Sequence, residues 1–262
     1  MPPFLDSAFS DLRRGIGLRR VWLALASEDI GDQHRRTTLG PLWLLINYLA
    51  FAATFIFIFN RGGAGPGYTA YVASGLLVWF FMMETITQAV SLFVREEAFI
   101  KGTTLPLTVY VLRLTMQSAI RAAYALAGCL VILLIGGTGI SVAWSWSALG
   151  LMLLLVTTPA AIILFAFLGA WFPDSQFIVS NLMRIGMFLT PVFWTHEGAG
   201  GLRHVFYYWN PFTYFLEIVR QPILSGGPPA QAFLLCAAMS LALWAGALVT
   251  LGSLRRQVVH AL

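Results

Sequence analysis

Residues 22–59 read WLALASEDIGDQHRRTTLGPLWLLINYLAFAATFIFIF. A polar, charged approach ends in His34-Arg35-Arg36, a hinge follows at Leu39-Gly40-Pro41, and residues 41–59 then carry no charge. At about 1.5 Å per residue that run spans roughly 30 Å, the hydrocarbon thickness of a bilayer. The chain therefore enters a membrane, and arginines mark the side it enters from.

Composition extends this reading to the whole chain. Of 262 residues, 58% are hydrophobic and 10% charged, and the mean hydropathy is +0.78. A soluble domain carries about 25% charge. A pI near 9.6 would point to nucleic acid in a soluble protein. Here the basic residues sit at the ends of apolar runs, where they set topology and meet phospholipid, so no nucleic-acid partner is expected. Cys129 and Cys236 lie inside apolar runs and read as small core residues, with no disulfide, metal or cofactor expected in the chain. The first apolar run is too late and too long for a cleaved signal.

The pattern predicts an all-α membrane protein. An N-terminal cytoplasmic segment, 1–39, contains an amphipathic stretch over 11–27 that suits the headgroup region. A six-span domain follows over 40–262, with spans at about 41–59, 70–94, 107–135, 147–172, 176–194 and 230–252. A short cytoplasmic helix is expected between spans two and three. Residues 195–229 hold two semi-apolar stretches broken at Asn210-Pro211, each too short to cross, which reads as a pair of re-entrant or interfacial helices. Basic residues concentrate on the side that holds both termini, Arg95 and Lys101, while Arg61, Arg203 and Arg220 lie opposite. Both termini are then cytoplasmic.

In the first span Tyr48, Phe51, Phe55 and Phe59 recur at i, i+3, i+7 and i+11, one face of a helix. Such a stripe either stacks on the C–H faces of sugars or packs helices. Arg35 and Arg36 lie on its cytoplasmic side, placed for a lipid pyrophosphate or for ordinary headgroups. Glu96, Glu97, Phe99, Ile100 and Lys101 form a charged and apolar patch that reads as a docking helix or a solvated turn. Ionisable groups inside spans need partners or water. Glu84 and Arg121 are candidates for a pair, and Arg184 for lining a path. The single lysine, Lys101, lacks the Gly-Lys-Ser/Thr setting of a phosphate-binding loop, so an ATPase would have to be another subunit.

Four segments carry a family resemblance: DIGDQHRRTTLGPLW (29–43), REEAFIKGTTLP (95–106), WFPDSQFIVSNLMRIGMFLTPVFW (171–194) and WNPFTYFLEIVRQPILSG (209–226). In order and spacing the chain resembles the membrane subunit of ABC-2 type exporters, of the kind that export O-antigen, capsular polysaccharide or teichoic acid. The resemblance implies a homodimer in the bacterial cytoplasmic membrane, served by two nucleotide-binding subunits that bind ATP and magnesium. It implies that a lipid-linked polysaccharide passes at the dimer interface and that residues 95–104 feel ATP-driven closure. Tyr207, Tyr208, Trp209, Asn210, Pro211 and Arg220 would form an extracytoplasmic gate. No catalytic residue is expected. Two rivals remain: an ABC-2 exporter of a small hydrophobic molecule, and a membrane enzyme acting on lipid-linked sugars through His196, Glu197, His204 or Glu217.

Overall fold

A computed structural model describes residues 3–59, 67–195 and 201–261. Arg61, His196 and Glu197 lie outside them. The elements among the described residues are all helices, in the order α1 (Pro3–Gly17), α2 (Arg19–His34), α3 (Leu42–Phe59), α4 (Tyr68–Val90), α5 (Leu92–Arg95), α6 (Glu97–Gly102), α7 (Leu107–Ile135), α8 (Trp144–Trp171), α9 (Ser175–Leu189), α10 (Leu202–Trp209), α11 (Pro211–Ser225) and α12 (Ala230–Ala261).

The amphipathic stretch is two helices rather than one, because the backbone leaves helical geometry at Leu18, just after Gly17. Glycine lowers helix stability by about 1 kcal/mol relative to alanine, which makes this the weak point. The hinge before α3 is built as the sequence indicates. Gly40 takes φ +54°, a left-handed conformation that an L side chain resists, and Pro41 sets up the helix that starts at Leu42.

Helices α3, α4, α7, α8 and α12 are long and apolar enough to cross a membrane. Three expected spans differ in extent. The second stops at Val90, not 94: the Ser91 hydroxyl donates to Gln88 O and α5 begins at Leu92. The sixth continues past 252 to Ala261. The fifth is the largest difference, since α9 ends at Leu189 rather than 194. Thr190 precedes Pro191, and the proline ring drives the residue before it out of the helical region; Thr190 is extended at ψ 143°. Its 15 residues rise about 22 Å, short of a bilayer's thickness.

The two helices expected before the last span are α10 and α11, and they break at Asn210 as predicted. Asn210 Oδ1 accepts from Phe212 N as the N-cap of α11, and Pro211 fills the first helical position, where its missing N–H is no loss.

Helices α4 and α8 form the centre of the bundle, contacting α7, α9, α11 and α12 around them. One apolar cluster joins Trp79, Leu76, Leu133, Leu216 and Ile218; a second joins Phe93, Leu114, Ile162, Phe167 and Leu251 near the basic end. The N-terminal helices are fastened to that end. Asp11, fully buried on α1, accepts from Thr108 N at 3.0 Å and Thr108 Oγ1 at 2.6 Å and pairs with Arg255 Nε at 3.2 Å.

Candidate functional site

A cavity of about 560 Å³ lies between α3, α4, α7 and α9. Its walls carry Tyr48 and Phe51 of α3, Phe80 and Phe81 of α4, and Phe188 of α9. Its polar lining includes Asn47, Glu84, Gln88, Ser118, Arg121 and Arg184. The predicted Glu84–Arg121 pair is present, with Arg121 Nε 3.2 Å from Glu84 Oε1, and Gln88 Nε2 donates to the same oxygen at 3.2 Å. An ion pair at this depth answers the cost of placing either charge alone in hydrocarbon.

The aromatic stripe divides. Tyr48 is 3% exposed, and its hydroxyl donates to Ala73 O at 2.7 Å, so its ring serves as packed wall. Phe51 is 53% exposed and meets the Phe80 ring edge to face at 5.5 Å. Phe55 stacks on Phe193 at 4.1 Å, and Phe59 reaches the same ring at 5.9 Å, so this half of the stripe packs against the segment after α9. Tyr48, Phe51 and Arg184 reach the cavity.

Below the cavity a polar ladder joins α2 to α7. Asp29 and Gln33 stand four residues apart on α2; Arg113, Gln117 and Arg121 recur at the same spacing on α7, so both sets share a face. Arg113 Nε and Nη2 grip the Asp29 carboxylate at 2.6 and 2.7 Å, and its Nη1 meets Glu96 Oε2 at 3.1 Å. Gln117 Nε2 also donates to Asp29, and Arg121 Nη2 donates to Gln33 Oε1 at 3.1 Å. Sequence reading missed Asp29, Gln33 and Gln117. The matched four-residue spacing of Asp29 and Gln33 with Arg113, Gln117 and Arg121 was the available signal, but the expected amphipathic helix stopped at 27.

The ladder redistributes the expected coupling patch. Glu96 is 7% exposed and engaged by Arg113, while Ile100 is buried among Phe93 and Leu107. Both belong to the chain's interior. Phe99 is 61% exposed, flanked by the Lys101–Glu97 pair at 2.7 Å, and these three residues are what a partner would meet. Arg35 and Arg36 are exposed at the end of α2, where positive charge complements the helix dipole; Arg35 lies 3.7 Å from Asp32.

The expected gate residues split between surface and interior. Trp209 is 84% exposed and Tyr208 46%, whereas Tyr207 is buried. Burial pushes the Tyr207 hydroxyl above the ordinary phenol range. Arg220 is fully buried: Nη1 donates to Pro191 O at 2.8 Å and pairs with Glu217 at 3.5 Å, and its guanidinium lies 3.7 Å from the Tyr71 ring centroid. Gly75 makes room for it, since a Cβ there would fall 2.0 Å from Nη2. Tyr68 donates to Phe193 O at 2.8 Å, and Tyr71 to Pro191 O at 3.0 Å and Trp194 O at 2.8 Å. Asn210 Nδ2 donates to Thr190 Oγ1 at 2.7 Å. Non-helical backbone in a membrane bundle survives only where protein satisfies its carbonyls, and these donors do so for Pro191, Phe193 and Trp194. Glu217, a candidate of the enzyme reading, is held in this arrangement, and His204 packs on Tyr208 with ring centroids 4.5 Å apart.

The sequence has known relatives. The model of the family described as "ABC-2 type transporter" matches residues 20–224. Two O-antigen export system permease proteins of Klebsiella pneumoniae, both named RfbA, are 25% and 24% identical over 181 residues, covering 67% of this chain and 69% of theirs. With the match spanning the ladder, the cavity and the buried arginine, the chain belongs to the ABC-2 type transporter membrane family.

Proposed function

We propose that this chain is the channel-forming subunit of an exporter that moves a lipid-linked polysaccharide of the O-antigen or capsule type across the bacterial cytoplasmic membrane. Hydrolysis of ATP takes place in a separate nucleotide-binding subunit, present in two copies against a homodimer of this chain. The observation that carries the reading is the cavity beside α3 and α9, whose walls pair aromatic rings with polar groups at membrane depth. Aromatic faces stack on sugar C–H surfaces, and polar groups hydrogen-bond hydroxyls and phosphate. The names of the two relatives support the substrate class.

In this reading both termini are cytoplasmic, and α9 completes a sixth crossing with the non-helical residues 190–194. Phe99, Glu97 and Lys101 dock on the ATPase. Arg35 and Arg36 meet the carrier lipid at the inner surface. Phe51 and Arg184 contact the glycan, and Tyr208 and Trp209 stand at the outer mouth.

A second reading, export of a small hydrophobic molecule, is favoured by one feature. A cavity of about 370 Å³ between α4, α8, α11 and α12 is lined almost wholly by apolar groups, among them Phe81, Leu154, Phe165 and Phe215. Deleting the gene and staining surface and internal polysaccharide separately decides between them. Long glycan trapped inside with none outside supports the exporter reading. Unchanged surface glycan with altered drug sensitivity supports the second.

A further inference from the structure

The apolar cavity of about 370 Å³ lies between α4, α8, α11 and α12. Three of those helices are long and apolar enough to cross a membrane, which puts it within the hydrocarbon layer. On α4 it is bounded by Phe81 and Ile86, nine and four residues before the end of that helix on the basic side. These stand about 14 and 6 Å from that end along the axis, in the half of the bilayer nearer the basic surface.

The chemistry of an occupant follows from the lining. Among the described residues its hydroxyl-bearing side chains are Thr85, Thr157 and Thr158. Thr157 Oγ1 donates to Leu153 O at 2.7 Å and is hydrogen-bonded with Ser240 Oγ at 2.8 Å, and Thr158 Oγ1 donates to Leu154 O at 2.8 Å. Both hydroxyls turn back onto their own helix. Thr85 Oγ1 is buried off the cavity surface. The threonines thus offer methyl groups, and the walls have no donor for a sugar or a phosphate. Water needs two to four polar partners, and a site without them stays dry. Hydrocarbon remains. An apolar cavity of about 150 Å³ takes one six-carbon ring, so this volume takes about fifteen carbons, the length of an acyl chain.

Access comes from the bilayer side. Leu234, Leu241 and Val249 recur on one face of α12 and are all exposed. Ala242, also exposed, belongs both to the edge of that strip and to the cavity lining. The lipid-facing surface of α12 is therefore continuous with the cavity. At its far side Phe212 and Phe215 bring in the first turns of α11, and Phe212 rests edge to face on Trp79 at 5.6 Å.

We propose that this cavity binds one acyl chain of a phospholipid from the leaflet on the basic side. The headgroup stays outside, the chain passes Ala242, and its end lies against Phe212 and Phe215, supporting α11 just beyond its break at Asn210. Recognition is of hydrocarbon alone, and the site does not depend on what the protein exports.

The test uses the full chain, purified with its ATPase subunit in nanodiscs that contain a trace of phosphatidylglycerol with a diazirine at the end of one acyl chain. After irradiation, labelled residues are located by peptide mass spectrometry. Label is expected at Met82 and Leu154, which are buried and reached through the cavity, as well as at exposed Leu241. Ala161→Phe fills the cavity; Ala242→Phe narrows its mouth from an exposed position, where folding is least disturbed. Each buried methylene is worth about a fourfold change in retention, so a ring that displaces two or more should lower the label at Met82 and Leu154 at least about tenfold. Label at Leu241 should not change, and diacylglycerol with the same diazirine chain should give the same pattern. Absence of label at Met82 and Leu154 in the unaltered chain, label there that both variants keep, or a requirement for the phosphate overturns the site. Loss of the label on ATP hydrolysis would make the occupant a cargo, as the small-molecule reading requires, and would overturn a tail anchored in the leaflet.

Discussion

Arg113 grips Asp29 with both arms of its guanidinium, at 2.6 and 2.7 Å, and so ties the N-terminal α2 to the third long apolar helix. The remaining nitrogen of the same group reaches Glu96 at the α5–α6 junction. One arginine thus holds together the segment before the first span, the α5–α6 turn, and the helix whose next turns reach the cavity. Lysine carries the charge but not the planar fork. Arg113→Lys should therefore cost about 2–4 kcal/mol, read as a lower unfolding midpoint of the purified complex. Combined with Asp29→Asn, the loss should be less than additive by about 1–3 kcal/mol.

Gly75 and Arg220 occupy one space. Gly75→Ala places a methyl 2.0 Å from Nη2, which displaces the guanidinium from the Pro191 carbonyl. It should destabilise by about 1–3 kcal/mol. In an Arg220→Met background the same substitution should cost clearly less, because the crowding atom is gone. Equal costs in the two backgrounds, measured by thermal unfolding, would refute the packing relationship.

Phe99 and Ile100 are neighbours with opposite fates. Phe99→Asp alters an exposed ring and should leave the amount of folded chain unchanged while reducing co-purification with the ATPase subunit at least about tenfold, the loss of a central apolar anchor. Ile100→Asp buries a charge among Phe93 and Leu107 and should lower the amount of folded chain itself. Intact pull-down by the Phe99 variant would remove the patch from coupling.

Much of this architecture was legible because membrane burial imposes simple patterns. The third span was read with its observed limits, 107–135, since an uninterrupted apolar helix has few ways to end. Asn210-Pro211 announced its break through cap and proline chemistry. The fifth span was overdrawn because hydropathy continues through Pro191, Val192 and Phe193 after the helix has stopped; donors from α4 and α11 allow an unwound apolar segment there. At the site, composition found the Glu84–Arg121 pair, because an isolated charge in a span requires a partner. It did not separate exposed Phe99 from buried Ile100, or Phe51 at the cavity from Phe55 stacked on Phe193. Those distinctions depend on which neighbour covers each face, a tertiary fact that spacing on one helix does not carry.

Orientation is open to direct labelling. Leu202 is 74% exposed at the start of α10, and Lys101 is exposed at the end of α6. In a background with Cys129 and Cys236 replaced, Leu202→Cys should react with a membrane-impermeant thiol reagent in intact spheroplasts. Lys101→Cys should react only after the membrane is opened. The reverse pattern would invert the assignment of the basic side to the cytoplasm.

The central claim, transport of a lipid-linked polysaccharide, is tested most directly by reconstitution. The chain and its ATPase subunit are placed in vesicles with a lipid-linked O-polysaccharide on the outer face, where the ATPase also sits, and protection of the glycan from an added glycosidase is followed. The account predicts ATP-dependent protection that is lost when the ATPase cannot hydrolyse ATP, and is slowed when Phe51 and Arg184 are replaced by alanine. Glycan that stays fully accessible, while the same vesicles take up a small hydrophobic dye on addition of ATP, would contradict it.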